Sequence, residues 1–491
     1  MKKNIMRRVG ATIALAGALA LVGCSSAPAS SEEPTASVLD PSDPVQVELW
    51  TYYNGTQQQA FEDLVKDFNA TRGKDLGIVV TSSSQGGVND LASAVTDSAQ
   101  GLVGSEAMPD AFLSYSDTAS VIDGFGMVAD LSGYLSDDEK AGFVDGFLEE
   151  GDLNGNGSLK VFPVGKSTET LQINMTDFQT FADATGTTLD ELRTIEGVTK
   201  VAQRYYEWTD AQTPDVAGDG RPFFGRDAMA NYLITGSKQL GHEIFDIERG
   251  TCTLNFDRAT MKTLWDNYYV PMVQGWFSAE GKFRSDAVKT GDLVCYVGSS
   301  SSVVYFPQTV TVDDATSYPI ELGALPNPSF ENGQPCSPQQ GAGFVVTKSD
   351  EKKETACVEF LTWFTAKEQN TDFSVSAGYV PVTKDALTLE NLEAAASSIE
   401  GASDNYLVNL PATLETIEAG VYANPPFKGG VEARAILERT LSDKAVSDRA
   451  AVVEAVAAGA SPEEALAPYL DDAVFDAWLG DLTTQLKGAI A

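Results

Sequence analysis

The sequence predicts an α/β fold divided into two lobes, and three observations support this. Residues 45–114 alternate strand, helix, strand, helix, strand in their apolar pattern, which marks a parallel sheet covered by helices. The chain has 491 residues, 43% of them hydrophobic, enough for two cores. Residues 162–174 are apolar at both ends yet carry Lys166, Ser167, Thr168 and Glu169 in the middle. Buried polar groups need partners. A strand of this kind suits a crossing between lobes, with its centre facing a water-filled cleft.

The individual elements follow from local pattern. Val45, Val47 and Leu49 alternate with polar residues and predict the first strand. Phe61, Leu64, Val65 and Phe68 recur at helical spacing. A second strand is expected over 76–81, a helix from Asn89 and a third strand over 109–114. Ligands of parallel sheets bind at the carboxyl ends of the strands. Here these are the loops 50–55, 82–87 and 114–117, all polar or aromatic. Asp152-Leu153-Asn154-Gly155-Asn156-Gly157 has the look of a calcium loop, but Pro163 stands where a bidentate Glu belongs, so a tight turn explains it better. Helices are expected around 177–184 and 198–207, from Phe223 through Tyr232, and over 255–269. A strand over 292–297 runs into Gly298 and the serines 299–302. A further strand is read at 341–346 and a helix at 354–364. Ser461-Pro462-Glu463-Glu464 is a strong helix start.

Charge and targeting signals bound the function. The net charge of −37, from 70 acidic and 33 basic residues, repels nucleic acid and anionic membrane surfaces. Lys2, Lys3, Arg7 and Arg8 precede an apolar run over 9–22 that ends Leu21-Val22-Gly23-Cys24. This predicts a secretory signal over 1–23 rather than a spanning helix. The Leu-Val-Gly-Cys ending resembles a bacterial lipobox, which implies that Cys24 is lipidated and anchors the mature chain to the outer face of the membrane. Residues 24–43, rich in Ser, Ala, Pro and acid, read as a flexible tether. Export permits disulfides among Cys252, Cys295, Cys336 and Cys357, and their spacing leaves both pairing and free thiols open. With His242 the sole histidine and no close Cys-x-x-Cys, no metal or other cofactor is expected.

The assembled marks resemble the extracellular solute-binding proteins of bacterial ABC importers, the family of the maltose-binding and glycerol-3-phosphate-binding proteins. The first helix ends Asp67-Phe68-Asn69-Ala70, and residues 163–174 look like the family's hinge strand. Residues 341–346, 357–364, 378–383 and 461–465 match later marks in the same order. The resemblance implies a type II periplasmic-binding-protein-like fold, whose inter-lobe cleft is spanned by three hinge crossings, expected near 163–166, 303–310 and 366–374. Residues 44–163 with 311–366 would form the N-terminal lobe, and 164–310 with 374–491 the C-terminal lobe. It further implies a monomer that captures a small polar solute (a sugar, oligosaccharide or polyol derivative, with a glycerol phosphate or glycerophosphodiester as the alternative) and delivers it to permease subunits.

The resemblance also suggests ligand-binding residues. Tyr52 and Tyr53 either stack on the ligand or pack between helices. Gln85, with its glycines, turns a helix N-terminus toward the cleft. Ser116, Asp117, Ser167, Ser299, Ser300, Gly341 and Tyr379 match ligand-facing positions. Trp208 is a stacking platform or a core residue. Arg434 or Lys428 takes the place of a late cationic contact, whereas Arg221 and Arg226 read as lobe contacts or, more commonly, surface charges.

A secreted hydrolase or an adhesin is the competing class. Gly-x-Ser-x-Gly is absent, and Ser349-Asp350-Glu351-Lys352 lies in the wrong order relative to Lys289-Thr290-Gly291 for a penicillin-binding enzyme. The sequence is therefore read as a binder without catalysis.

Overall fold

The computed structural model describes residues 38–216, 218–248, 250–399 and 403–491. The expected signal, Cys24 and most of the tether lie outside these residues. Among the described residues no helix is long and apolar enough to cross a membrane.

The first sheet has the spatial order Ile78–Ser84, Val45–Thr51, Ala111–Ser114, Gly343–Val346, Phe162–Pro163. Its first three strands are parallel, as the alternation predicts, and Gly343–Val346 runs antiparallel to both neighbours. Val45, Val47 and Leu49 are buried while Gln46 and Glu48 are exposed, so period-two patterning sets the register. The helix Gly55–Ala70 buries Phe61, Leu64, Val65 and Phe68. Phe61 packs on Phe344 with ring centroids 5.9 Å apart, and Phe68 meets Phe360 of the helix Glu351–Phe364 at 5.1 Å.

The second sheet has the order Leu322–Pro326, Glu169–Asn174, Cys295–Ser299, Phe224–Arg226. Glu169–Asn174 is central, antiparallel to both neighbours and buried along its whole length. Helices Ile195–Asp210, Met229–Gln239, Gly430–Ala457 and Asp472–Ala489 supply most of the core around it. Residues 223–227 do not open a helix as expected. Phe224–Arg226 pairs with Cys295–Ser299, because strand pairing buries both phenylalanines, and the helix starts at Met229.

Three passages join the sheets. The first, 164–168, lies where the sequence places it. The second is later than expected. Leu322–Pro326 still pairs with Glu169–Asn174, and the hairpin of Thr309–Thr311 with Ser317–Pro319 packs beside Ala287, Val288 and Tyr296. The chain therefore returns to the first sheet between 327 and 342 rather than near 303–310. The third passage is also later than 366–374. The helix Lys367–Ala377 packs on Gly55–Ala70, and Val382 still belongs to the first core. The helix Asp404–Ala419 is the first element of that stretch to pack on the second sheet. The first two passages, and the chain shortly before the third, are knitted together at Lys166 and Ser167. Lys166 exchanges backbone hydrogen bonds with Val380 (3.0 and 2.8 Å), and Ser167 exchanges them with Gln340 (3.0 and 2.9 Å).

The four cysteines downstream of Cys24 are free thiols. Asp152 accepts the backbone N–H groups of Asn156 (3.1 Å) and Gly157 (2.7 Å), the tight turn its sequence suggests.

Candidate functional site

The polar centre of the first passage does not face open water. Lys166, Ser167, Thr168 and Glu169 are all buried, and each has partners. Lys166 Nζ pairs with Glu150 (2.6 Å) and donates to the Gly341 carbonyl (2.8 Å), and Gln339 donates to the same Glu150 oxygen. Thr168 Oγ1 donates to Pro338 O at 2.9 Å. Glu169 accepts from Arg226 (2.9 Å) and from Asn231 (2.7 Å), whose own oxygen takes Arg434. Burial pushes the Glu169 carboxyl upward, against the pull of Arg226 and Asn231. Arg226 is thus a buried ion-pair partner and not the surface charge expected. Its signal was hidden because Glu169 lies 57 residues away in sequence.

On the first-lobe side, the hydroxyl of Tyr52 lies against those of Tyr115 and Tyr379, and Tyr115 also meets the Gly341 backbone. Burial raises all three phenols. Tyr52 further accepts from Ala342 N at 3.4 Å. Tyr53 packs instead between Phe61 and Phe373, with centroids 5.4 and 5.5 Å away, which settles it as a core residue between helices. Tyr115 was missed because one tyrosine in a polar loop carries no pattern.

The two sides approach at Asp117. A methyl group on Gly430 would lie only 2.9 Å from Asp117 Oδ1, and that oxygen is buried without a hydrogen-bond partner. Burial pushes the Asp117 carboxyl up, with Arg434 opposing the shift and Glu150 adding to it. Ser116 is buried beside it. Ser299 Oγ donates to Ser167 Oγ at 3.3 Å, and Ser300 Oγ accepts Thr168 N at 3.1 Å. Asn409 donates to Ser300 O at 3.1 Å.

The structure therefore brings together Tyr52, Ser116, Asp117, Ser167, Ser299, Ser300, Gly341, Tyr379 and Arg434, adding Tyr115, Glu150, Arg226 and Asn231. Three of the expected residues stand apart from this set, Tyr53 in the first core among them. Trp208 packs on Phe181 and Tyr205 at 5.5 and 5.8 Å in the second core, because an apolar ring gains most by burial. Gln85 lies at the end of Ile78–Ser84, where its backbone N–H donates to Thr51 O (2.8 Å) and its side chain to Ser83 Oγ (3.2 Å). Lys428 turns to the chain end, donating to Ala491 O, so Arg434 is the cation of this region.

The assembled groups are hydroxyls, amides, carboxylates and guanidiniums, suited to hydrogen-bonding a polar molecule between two walls. The walls come from different sheets, so a bound molecule would touch both.

Residues 63–398 match the family profile described as bacterial extracellular solute-binding protein. No curated protein matches the sequence. Among solved structures, the chain is similar to a cyclic alpha-maltosyl-1,6-maltose binding protein from Arthrobacter globiformis (18% identity, 91% of this chain and 100% of that one, TM-score 0.65). It is also similar to UgpB from Mycobacterium tuberculosis in complex with glycerophosphocholine (18% identity, 91% and 100%, TM-score 0.63). A third is a maltotriose binding protein from Thermus thermophilus (14% identity, 91% and 100%, TM-score 0.57). These likenesses agree with the two-lobed periplasmic-binding-protein fold built above from the two sheets and three passages. By the match over residues 63–398, this chain belongs to the bacterial extracellular solute-binding protein family.

Proposed function

We propose that the protein captures a sugar, oligosaccharide or other polyol derivative in the cleft between its lobes and hands it to the permease of an ABC importer. The family is non-catalytic, so binding and release are the whole activity. The observation that carries the solute class is the charge balance of the inner cleft. Arg226 is paired with Glu169, and Lys166 with Glu150, so no cluster of free cations is left to hold a phosphate. What remains are tyrosine and serine hydroxyls, backbone groups at Gly341, the buried and unpartnered Asp117 oxygen and the single guanidinium of Arg434. Such a lining exchanges hydrogen bonds with a neutral, hydroxyl-rich solute.

Capture by closure requires that solute bind the closed arrangement better than the open one. Asp117 on one wall and Arg434 on the other fit that requirement. We assign Tyr52, Ser116, Asp117, Ser167, Ser299, Gly341, Tyr379 and Arg434 to solute contact. A thermal-shift screen over sugars, polyols, glycerol phosphates and phosphodiesters tests the reading. Stabilisation by a saccharide or polyol is the expected result, and stabilisation only by a peptide or amino acid would sink it. A response confined to phosphodiesters would select the glycerophosphodiester alternative on the same fold.

The anchor is part of the same proposal. Cys24 carries lipid after removal of residues 1–23, which holds the protein beside its permease. Cys24→Ala should release the protein from the membrane fraction, and an unchanged membrane distribution would refute the anchor.

A further inference from the structure

The two lobes also touch away from the passages. The helix Ser116–Gly124 belongs to the first core through Ala119 and Ile122, and the helix Gly430–Ala457 to the second through Ala433, Ile436 and Leu437. They pack where Asp117, in the first turn of one, meets Gly430, the first residue of the other. A methyl group on Gly430 would stand 2.9 Å from Asp117 Oδ1, whereas the nearest atom beyond Asp117, on the Phe427 ring, is 3.6 Å away. No solute atom fits between the two residues, so protein alone makes this contact. The helix backbone does not demand a glycine at this position. Gly429, with a φ of +84°, takes the left-handed turn before the helix, and Gly430 itself is helical. Close approach to Asp117 is what a side chain here would spoil.

The contact also joins opposite charges. A helix of 28 residues carries partial positive charge at its N-terminus, and Asp117 Oδ1 lies at that end, buried and without a hydrogen-bond partner. Arg434 stands one turn on from Gly430 on the same face, and helical side chains lean toward the N-terminus. The guanidinium therefore leans toward Asp117. Burial raises the Asp117 carboxyl, and Arg434 opposes that rise. Asn231 holds Arg434 from behind and is itself fixed by Glu169 at 2.7 Å, so the cation rests on a buried network. Glu150, the carboxylate that repels Asp117, is neutralised by Lys166 at 2.6 Å.

We propose that Asp117, Gly430 and Arg434 form a latch that draws the lobes together before solute is bound, with Gly430 bare of a side chain so that the two helices can meet. The inference deepens the cleft reading above and rests on its premise that the lobes open and close around a solute. The latch offsets part of the cost of closure. The fraction of molecules it holds closed sets how much of the intrinsic affinity is expressed. Apparent affinity then depends on Gly430, a residue with no side chain to offer a solute.

Pulsed electron-spin distance measurements on the full chain without added solute test it. Labels go on Asp97→Cys, in the helix Val88–Gln100 that packs beside Ser116–Gly124, and on Asp443→Cys of the helix Gly430–Ala457. Cys24→Ala and Cys336→Ser remove competing thiols, the other three being buried. The label pair should populate the separation of the present structure, and longer distances alone would overturn the latch. Asp117→Asn should lower the ratio of short to long distances about fivefold. Gly430→Leu, a wedge at the contact, should move most molecules to long distances. Gly430→Ala should do so in part, and because alanine favours a helix it keeps the test open should the larger residue not fold. In an Asp117→Ala background Gly430→Ala should add nothing. Gly480→Ala, at a helical glycine with open space around it, should change nothing. Unchanged distances in both Asp117→Asn and Gly430→Ala overturn the proposal. Weaker maltotriose binding by Asp117→Asn with unchanged solute-free distances also overturns it, making Asp117 a solute contact only and leaving the cleft reading intact. A chain that answers to the wedge yet binds no saccharide or polyol upholds the latch and counts against the solute class alone.

Discussion

On the first-lobe side of the cleft, Tyr52, Tyr115 and Tyr379 bring hydroxyls on rings that are otherwise packed into a core. On the second-lobe side, Glu169, Arg226, Asn231 and Arg434 form a charged network spread over two strands, with Cys295–Ser299 between them, and two helices. The difference concerns what each face loses when disturbed. A tyrosine stripped of its hydroxyl still packs. A buried charge stripped of its partner is left stranded in a medium that solvates it poorly. The first face is therefore tolerant and the second brittle, although both present polar groups to the same space.

The largest effect should come from breaking the brittle side. Glu169→Ala strands Arg226 and should cost about 3–5 kcal/mol in urea unfolding, whereas the double change Glu169→Met with Arg226→Met should cost much less. Equal losses in the single and double variants would mean that the pair is not the source of the brittleness.

The next test uses pH on the same face. Burial raises Asp227 to about 6, with Arg284 opposing the shift. The folded state then holds a proton that the unfolded chain has released. Stability from this group is present at low pH and falls as pH rises between about 4 and 6, by roughly 1–3 kcal/mol. Asp227→Asn should flatten that part of the profile in denaturation measured at successive pH values, and an unchanged slope would count against this source.

On the tolerant face, Tyr379→Phe should lower the unfolding free energy by only about 1 kcal/mol, since the ring keeps its stacking on Phe373. A loss as large as that of Glu169→Ala would erase the distinction between the faces. Smallest of all, Gln85→Ala should shift stability by less than about 0.5 kcal/mol, because this side chain touches only an exposed serine.

The same contrast explains what was legible in the sequence. Val45, Val47 and Leu49, and the helical run from Phe61 to Phe68, announce themselves because burial imposes a period on neighbouring residues. The first passage was legible for the opposite reason, since Lys166 to Glu169 break the pattern. Partners such as Arg226 and Asn231 were not, because a contact between residues far apart in the chain leaves no local trace. Phe223-Phe224-Gly225-Arg226 shows how a short apolar run fits either a strand or a helix start until a neighbouring strand claims it. The second passage was placed too early because Leu322–Pro326 is half-buried along its length and shows no alternation. Trp208, open between platform and core by residue type alone, packs on the second core.

Gly341 carries a further consequence. Its φ of +92° and its position against the Gly165 carbonyl leave no room for even a methyl group. Two separate stretches of backbone are pressed together there, and a third is bonded to the same short segment through Val380. Straps fastened at one point cannot swing independently. Any closure of one wall on the other would have to pass through this shared segment.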